Sequence, residues 1–252
     1  MPDGGVRLEC EGPVATVTLC RPDVLNAQTP TTWISLRDFS QSLSGEVRVV
    51  LVRAEGRSFS AGLDRALFSG SDTTLNDLTI LPPEKCAERI AEFQAGFAWL
   101  RRPDLITIAA VQGHAVGAGF QLALACDLRV LADDAMLTMA EVTLGLVPDL
   151  GGTKRLVELV GYARALELCV TGRRVTAAEA DRIGLANLVV PRWELDAAAR
   201  ELVAAVLAGA RDAVVEIKAL LAGAAGRSYA EQERAEREAQ TRRLRDLAGL
   251  GE

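Results

Sequence analysis

The chain has 252 residues, of which 49% are hydrophobic and 25% are charged, and its formal net charge is −6. This length and composition predict a globular protein with one large core, either a single domain or a domain with an appendage. A negative net charge disfavours nucleic acid as a partner, because binding phosphates requires a basic face. The sequence has no run of about 18 apolar residues free of charge, so we expect no transmembrane span and no membrane partner.

Five cysteines are spread along the chain, at Cys10, Cys20, Cys86, Cys126 and Cys169. Their number is odd and no two form a C-x-x-C pair, which disfavours both a disulfide framework and a metal-binding set. The first residues show no charged segment followed by an apolar stretch, so we expect no signal peptide. Together these features predict reduced thiols, no bound metal and a cytoplasmic protein.

The first elements in chain order are predicted to be a hairpin, a helix and a buried strand. Residues 6–10 and 14–19 flank a Glu-Gly-Pro turn, which indicates a β-hairpin. Residues 29–43 have the pattern of a helix that begins at a Thr-Pro pair. The apolar run 47–53 predicts a strand, and it leads directly into a glycine-containing turn at 58–64.

The next segment is predicted to be a loop followed by a helix. Residues 65–83 are polar, contain glycine and proline and show no sustained period, which predicts a mobile loop that forms a lid or a pocket wall. Residues 84–100 place Phe93, Phe97 and Leu100 at helical spacing. This pattern predicts a helix with one buried face.

The stretch 106–153 carries the most informative pattern in the chain. An apolar run at 106–111 predicts a buried strand, and three glycines between residues 113 and 119 mark a turn into an apolar helix at 120–126. Glycines at such a junction let the backbone approach a ligand closely, and the first helical turn leaves N–H groups unpaired. We therefore predict an oxyanion site here.

The remaining elements follow from the same patterns. They are a strand at 128–131, helices at 151–160 and 162–170, a helix capped by Thr176, a strand at 187–190 and a helical region from about residue 193 onward.

The central junction also permits a dinucleotide-binding interpretation. Gly117-x-Gly119 follows a strand and opens a helix, and the acidic residue Glu141 stands about 20 residues on. Against this interpretation, Leu122 occupies the place of the third glycine, and a strand and a turn intervene before Glu141. The sequence therefore disfavours a dinucleotide cofactor.

Several motifs in the correct order resemble the enoyl-CoA hydratase/isomerase (crotonase) family over about residues 6–195. They are Arg21-Pro22 with Leu25-Asn26-Ala27, the run 58–64, Gly113 with Gly117-Ala118-Gly119, Glu141 with Gly145 and Pro148, Gly151-Gly152-Thr153, and Gly184-Leu185-Ala186. The resemblance implies an α/β fold, a crotonase-like spiral of β-β-α units with a C-terminal helical region. It also implies an enzyme whose substrate is an acyl-CoA thioester, so that coenzyme A is part of the substrate and no separate cofactor is expected.

The resemblance places two backbone donors in this sequence. A thioester α-proton is too weakly acidic for a carboxylate to remove unless hydrogen bonds stabilise the developing enolate oxygen. By position, the N–H groups of Leu63 and Ala118 are expected to form this oxyanion hole. The residues expected to contact the substrate are Ala61, Gly62, Asp64 and Gly117.

Three polar residues are expected to serve the structure. His114 is the only histidine and no G-x-S-x-G motif accompanies it, so we expect it to support the turn. Asp64 is also expected to cap the helix that follows its turn, and Asp127 to anchor the next strand.

The acid and base positions decide the reaction. Hydratases of this family use two glutamates, and the corresponding positions hold Gln121 and Glu141; glutamine binds water but exchanges no proton near neutral pH. Asp149 matches the second catalytic acid of dienoyl-CoA isomerases and the nucleophile of a chlorobenzoyl-CoA dehalogenase relative. The dehalogenase interpretation is disfavoured because Glu141 replaces that enzyme's tryptophan. Alternatively, Asp149 is the N-cap of a helix that begins near Gly151.

Three functions stay open at this stage. The favoured hypothesis is double-bond isomerisation through an enolate, with Glu141 as principal base and Asp149 as partner acid. The second is hydration of a 2-enoyl-CoA, in which Glu141 and Asp149 activate a water that Gln121 positions. The third is a non-catalytic acyl-CoA-binding protein.

The expected organisation is a core with a helical extension. Residues 1–195 are predicted to form the spiral core with the active site, and residues 196–252 a helical region for oligomerisation and pocket cover. The resemblance implies a homotrimer or a hexamer made of two trimers.

Overall fold

The structure, a computed structural model, describes residues 3–68 and 78–251. Its strands are β1 Val6–Glu11, β2 Val14–Leu19, β3 Val49–Ala54, β4 Ile106–Val111, β5 His114–Val116, β6 Leu128–Ala132, β7 Met136–Thr138, β8 Arg174–Thr176 and β9 Leu188–Val190. The α-helices that begin and end within these residues are α1 Pro30–Ser42, α2 Pro83–Ala98, α3 Ala118–Ala125, α4 Gly152–Val160, α5 Tyr162–Thr171, α6 Ala177–Arg182, α7 Leu195–Ala208, α8 Arg211–Ala224 and α9 Tyr229–Leu247.

The strands form two sheets. Six strands make the larger sheet in the order β1-β2-β3-β4-β6-β9, and β5-β7-β8 make the smaller one. The β1–β2 hairpin is antiparallel, whereas every later neighbour in the larger sheet pairs in parallel. Parallel neighbours need a crossover connection, which places helices between successive strands of this sheet.

Both faces of the larger sheet are buried. Because side chains alternate along a strand, Val50 and Val52 of β3 face the main core beneath α1, α2 and α3. Val49 and Leu51 face the other way and pack against α7. This two-sided burial explains why the central strands are continuous apolar runs in the sequence.

The helix ends follow local sequence signals. The side chain of Thr29 accepts a hydrogen bond from the Thr32 N–H, and Pro30 occupies the first turn of α1. Thr176 accepts one from the Glu179 N–H, which confirms the predicted cap of α6. Gly209 follows the end of α7.

The C-terminal part is helical, and the predicted α/β class with a C-terminal helical region is confirmed. Lys218 of α8 donates to the Asp127 carboxylate at 2.8 Å and to the Leu105 carbonyl at 2.7 Å, which ties this region to the sheet. The division at residue 195, the first residue of α7, stays a prediction. Among the helices of the described residues, none is both long enough and apolar enough to cross a membrane.

The segment predicted as a loop over 65–83 is partly helical. Arg65–Phe68 form a 3-10 helix, and α2 begins at Pro83, within the predicted loop. Residues 69–77, where the mobile lid was predicted, lie outside the described residues. The short strands β5, β7 and β8 have three residues each and were not predicted, because so few residues show no alternation.

Candidate active site

The turn at 58–64 is held by the segment just before α1. The Asn26 side chain donates to the carbonyls of Glu55 and Ser58 at 2.8 and 2.9 Å, and the Ala61 N–H donates to the Leu25 carbonyl at 2.8 Å. Leu25 and Asn26 both have a φ of 54°, an uncommon conformation for residues other than glycine. These contacts outweigh the local strain and fix the turn.

This arrangement directs the N–H group of Leu63 away from Gln28. The Gln28 N–H donates to the Gly62 carbonyl at 2.7 Å, and the Asp64 N–H donates to the Gln28 carbonyl at 2.8 Å. Leu63 lies between these two bonds in a parallel bridge, so its own N–H points away from Gln28. No backbone carbonyl of the described loops and turns accepts a hydrogen bond from it.

The second junction is docked against the first. The Ser60 N–H donates to the His114 carbonyl at 2.8 Å, so the exposed His114 supports the turn through its backbone. A methyl group at Gly62, whose φ is 83°, would lie 2.4 Å from the Val116 carbonyl oxygen and 3.6 Å from the Ala118 nitrogen. Ala118 is the first residue of α3, so its N–H has no acceptor within that helix. The two predicted donors are therefore neighbours.

A cavity of about 290 Å³ opens beside these donors. It is lined by Leu63 and Ala118 and by all three predicted catalytic residues, Gln121, Glu141 and Asp149. Most of the remaining lining is apolar. The fold thus brings together residues that lie far apart in the sequence.

Three of the four predicted substrate-binding residues line this cavity: Ala61, Gly62 and Gly117. Asp64 lies instead in a neighbouring cavity of about 530 Å³, which shares Ala61, Leu63, Arg65 and Val116 with the first. The Asp64 carboxylate accepts hydrogen bonds from Arg21 and from the Ala66 N–H, both at 3.0 Å. The second bond confirms that Asp64 caps the short helix after its turn.

Glu141 presents a carboxylate with one free oxygen. Its Oε1 accepts a hydrogen bond from Gln121 Nε2 at 2.7 Å, whereas its Oε2 is buried without a hydrogen-bond partner among the described residues. A methyl group at Gly117 would lie 3.3 Å from Oε1, so the glycine leaves room for the carboxylate. Burial raises the pKa of Glu141, and the charge of Asp149 raises it further. This is the environment of a general base.

Gln121 is buried and has both ends of its amide engaged. Its Oε1 accepts the N–H groups of Leu150 and Gly152, at 2.9 and 3.2 Å, at the start of α4. Because these donors require the carbonyl oxygen, the amide NH₂ must face Glu141. Gln121 therefore joins α4 to Glu141, a role that sequence reasoning missed.

Asp149 stands on the segment that leads into α4. The cap residue of that helix is Gly151, which makes no side-chain bond, and Gln121 accepts the Gly152 N–H. The interpretation of Asp149 as the N-cap is therefore wrong. The Asp149 backbone carbonyl accepts a hydrogen bond from Gln94 at 2.6 Å, while burial raises the pKa of its carboxyl.

Arg129 supports α3 from its C-terminal end. This fully buried side chain on β6 donates to the carbonyls of Leu185 and Cys126, at 2.6 and 2.8 Å. Burial lowers its pKa to about 10. A cation is favourable at the C-terminus of a helix, so Arg129 stabilises the helix whose other end carries Ala118. The sequence signal for this role, an arginine within an otherwise apolar strand, was missed.

Asp127 immediately precedes β6 and anchors the start of that strand, because its N–H donates to Thr107 Oγ1 of the neighbouring strand β4 at 2.9 Å. Its carboxylate accepts hydrogen bonds from Thr107 of β4, at 2.8 Å from the backbone and 3.1 Å from the hydroxyl, and from Lys218. It therefore joins β4 to α8.

Within residues 3–68 and 78–251, no group of three His, Cys, Asp or Glu side chains is placed to hold a metal ion.

Comparison with known proteins gives concordant matches. A family model described as enoyl-CoA hydratase/isomerase matches residues 9–246. The short-chain-enoyl-CoA hydratase of Clostridium acetobutylicum is 36% identical over 216 residues, which are 83% of this chain and 77% of that protein. A Thermobifida fusca YX protein in complex with CoA is 47% identical with a TM-score of 0.91, covering 98% of this chain and 95% of the other. One in complex with acetoacetyl-CoA is 47% identical with a TM-score of 0.92, covering 96% of both chains.

Proposed function

Because this chain belongs to the enoyl-CoA hydratase/isomerase family of crotonase-fold enzymes, we propose that it moves the double bond of an enoyl-CoA through an enolate. The observation that carries this proposal is the pairing of Glu141 and Asp149 in one cavity. Gln121, in the same cavity, exchanges no proton near neutral pH. Glu141 and Asp149 can transfer protons, and Gln121 only holds Glu141 in place. This combination suits a proton shuttle along an acyl chain.

The proposed oxyanion hole consists of the N–H groups of Leu63 and Ala118. Both line the cavity, and both belong to turns that rigid hydrogen bonds hold in place. Each such donor contributes on the order of 3 kcal/mol of transition-state stabilisation. In this proposal they hold the thioester oxygen, on which the negative charge of the enolate develops.

The proposed reaction starts from a 3-enoyl-CoA. The Oε2 of Glu141 removes a proton from C2, and the electron pair delocalises onto the thioester oxygen and C4. Asp149 in its neutral form gives its proton to C4, so the double bond ends between C2 and C3. The raised pKa of Asp149 favours the neutral acid that this step needs. Exchange with solvent then returns Glu141 to its carboxylate and Asp149 to its acid.

The neighbouring cavity of about 530 Å³ is the proposed site for the polar part of coenzyme A. Arg65 and Arg174 line it and supply positive charge for phosphate groups. The Thermobifida fusca structures with CoA and acetoacetyl-CoA support this class of ligand. A substrate that lies across both cavities would place its thioester near the residues that line both, which include Ala61 and Leu63.

Hydration of a 2-enoyl-CoA is the second candidate, favoured by the relative named short-chain-enoyl-CoA hydratase. In this alternative, Glu141 and Asp149 activate a water molecule. Gln121 has one amide N–H left to position that water, since its other N–H binds Glu141 and its oxygen accepts two backbone donors.

Product analysis distinguishes the two reactions. A 3-enoyl-CoA and a 2-enoyl-CoA are incubated separately with the wild-type protein and with Glu141→Gln and Asp149→Asn. The proposal predicts interconversion of the two enoyl isomers, lost in both variants and unchanged in Asp38→Asn, which alters an exposed carboxyl group outside the cavity. Formation of a 3-hydroxyacyl-CoA without isomerisation would instead establish hydration.

A further inference from the structure

The cavity of about 290 Å³ has an aromatic wall formed by Trp33 of α1. Among the described lining residues, Trp33 is the one aromatic side chain, and only 5% of it is exposed. Other apolar lining residues lie at the surface: Leu146 is 46% exposed and Val147 is 72% exposed. Trp33 therefore bounds the buried side of the cavity, whereas these two residues mark its mouth.

The indole of Trp33 is fixed in place. Its ring lies against Phe93 of α2 with 5.1 Å between centroids. Its Nε1–H donates to the buried Gln28 Oε1 at 2.8 Å. A methyl group at Gly96 would lie 2.3 Å from the Trp33 carbonyl oxygen, so the backbones of α1 and α2 are in close contact. An incoming acyl chain would therefore meet a rigid wall.

The size of the cavity limits the chain that fits. An apolar cavity of about 150 Å³ accommodates one benzene molecule. The observed volume of about 290 Å³ is roughly twice that, which corresponds to about 12 heavy atoms by the same measure. The thioester carbon, oxygen and sulfur use about three of these, so about nine carbons remain beyond the carbonyl, an acyl group of about ten carbons in all.

We infer that Trp33 sets the maximum acyl length, so that the enzyme takes short and medium acyl groups of about four to ten carbons. The inference rests on the proposed acyl-CoA function, because an acyl group is what would extend from the oxyanion donors along the cavity. It assigns a specificity-determining role to a residue outside the proton-transfer machinery.

Trp33 is also linked to the turn that carries Leu63. Gln28, which accepts its Nε1–H, donates through Nε2 to Ser60 Oγ at 3.1 Å, and the Gly62 N–H donates to the same oxygen at 3.1 Å. Size and hydrogen bonding at Trp33 therefore have separable effects. Loss of size should change acyl-length preference, whereas loss of the N–H should loosen the turn and lower kcat at every length.

Binding of saturated acyl-CoAs, from butanoyl to tetradecanoyl, tests the inference without turnover. Calorimetric titration of the wild-type protein should show affinity rising about fourfold per methylene and then levelling off at about ten carbons. Trp33→Leu should move this limit to longer chains by about two carbons. Trp33→Met also opens the wall with a flexible apolar side chain and should move the length limit in the same direction. It replaces Trp33→Leu as the test if that variant does not fold.

Two further variants separate the effects. Trp33→Phe keeps most of the wall but lacks the N–H, so it should retain the wild-type length limit while kcat falls at all lengths. Trp99→Leu truncates a tryptophan that is 7% exposed and lies outside the cavity, so it should leave the limit unchanged.

The outcomes distinguish this inference from the proposed function. An unchanged limit in the folded Trp33→Leu or Trp33→Met protein would overturn the inference even if turnover is intact. Length-dependent binding that shifts as expected, without any turnover, would uphold the inference and refute the proposed catalysis. If the wild-type protein bound no acyl-CoA, both would be refuted.

Discussion

Gln121→Glu is the substitution with the most informative expected effect on the site. In the wild-type protein, Gln121 Nε2 donates to Glu141 Oε1 at 2.7 Å, and its Oε1 accepts two N–H groups at the start of α4. The variant keeps an acceptor for those N–H groups but replaces the donor that faces Glu141 with a carboxylate oxygen. Two carboxyl groups then share one short contact, and a single proton must lie between them.

The magnitude follows from Coulomb's law. Two carboxylate charges about 4 Å apart repel by about 4 kcal/mol at an effective dielectric constant of about 20. This energy corresponds to about three pKa units, so at neutral pH the pair keeps one proton. The charge should stay on residue 121, because two backbone N–H groups and the N-terminus of α4 stabilise it there. Glu141 should therefore hold the proton and cease to act as a base.

The pH dependence of kcat/KM for isomerisation of a 3-enoyl-CoA measures this effect. The acidic limb should move upward by about two to three pH units in Gln121→Glu, and the rate at neutral pH should fall. Hydration of a 2-enoyl-CoA should rise above the new limb, where both carboxyl groups are ionised. Gln121→Met removes the same hydrogen bonds without adding a charge and should move the limb far less. An acidic limb at the wild-type position in an active Gln121→Glu protein would refute the electrostatic reasoning.

Three other substitutions test separate parts of the structure. Because the pKa of Glu141 is raised above 4.5 in the folded protein, ionisation of this group lowers the free energy of unfolding as pH rises. In denaturant unfolding, Glu141→Gln should therefore be more stable than wild type at pH 7 and equally stable below pH 4.5. The same stability difference at both pH values would contradict this. Gly62→Ala places a methyl group against the Val116 carbonyl and displaces the Leu63 N–H, so kcat should fall about 100-fold. The control Gly12→Ala, which has open space at its Cβ, should retain the wild-type kcat. Arg129→Lys leaves buried carbonyls without donors and should lower the free energy of unfolding by about 3 kcal/mol. An unchanged denaturant midpoint would count against the structural role of Arg129.

The long periodic elements were predictable from the sequence. The apolar run of β4 and the helical spacing of Phe93 and Phe97 in α2 identify elements whose burial the structure confirms. The glycine junctions were also recognisable, because Gly62 and Gly117 have positive φ values that other residues rarely adopt. The resemblance of these motifs to a known family identified the family, and the fold was what that resemblance implied.

Contacts between distant segments were beyond the reach of the sequence. A buried glutamine gives no local sign that it caps α4 and binds Glu141 at once, since both partners lie 20 or more residues away. The same limit explains the misplaced N-cap at Asp149 and the unrecognised wall at Trp33. The homotrimer or hexamer and the cytoplasmic location stay predictions.

Proton exchange in D₂O followed by NMR tests the central claim most directly. A 3-enoyl-CoA is incubated with the wild-type protein, with Glu141→Gln and with Asp149→Asn. The two-acid shuttle predicts migration of the double bond with deuterium incorporated from solvent, and loss of both in each variant. A 3-hydroxyacyl-CoA product without migration, or migration that persists in either variant, would contradict it.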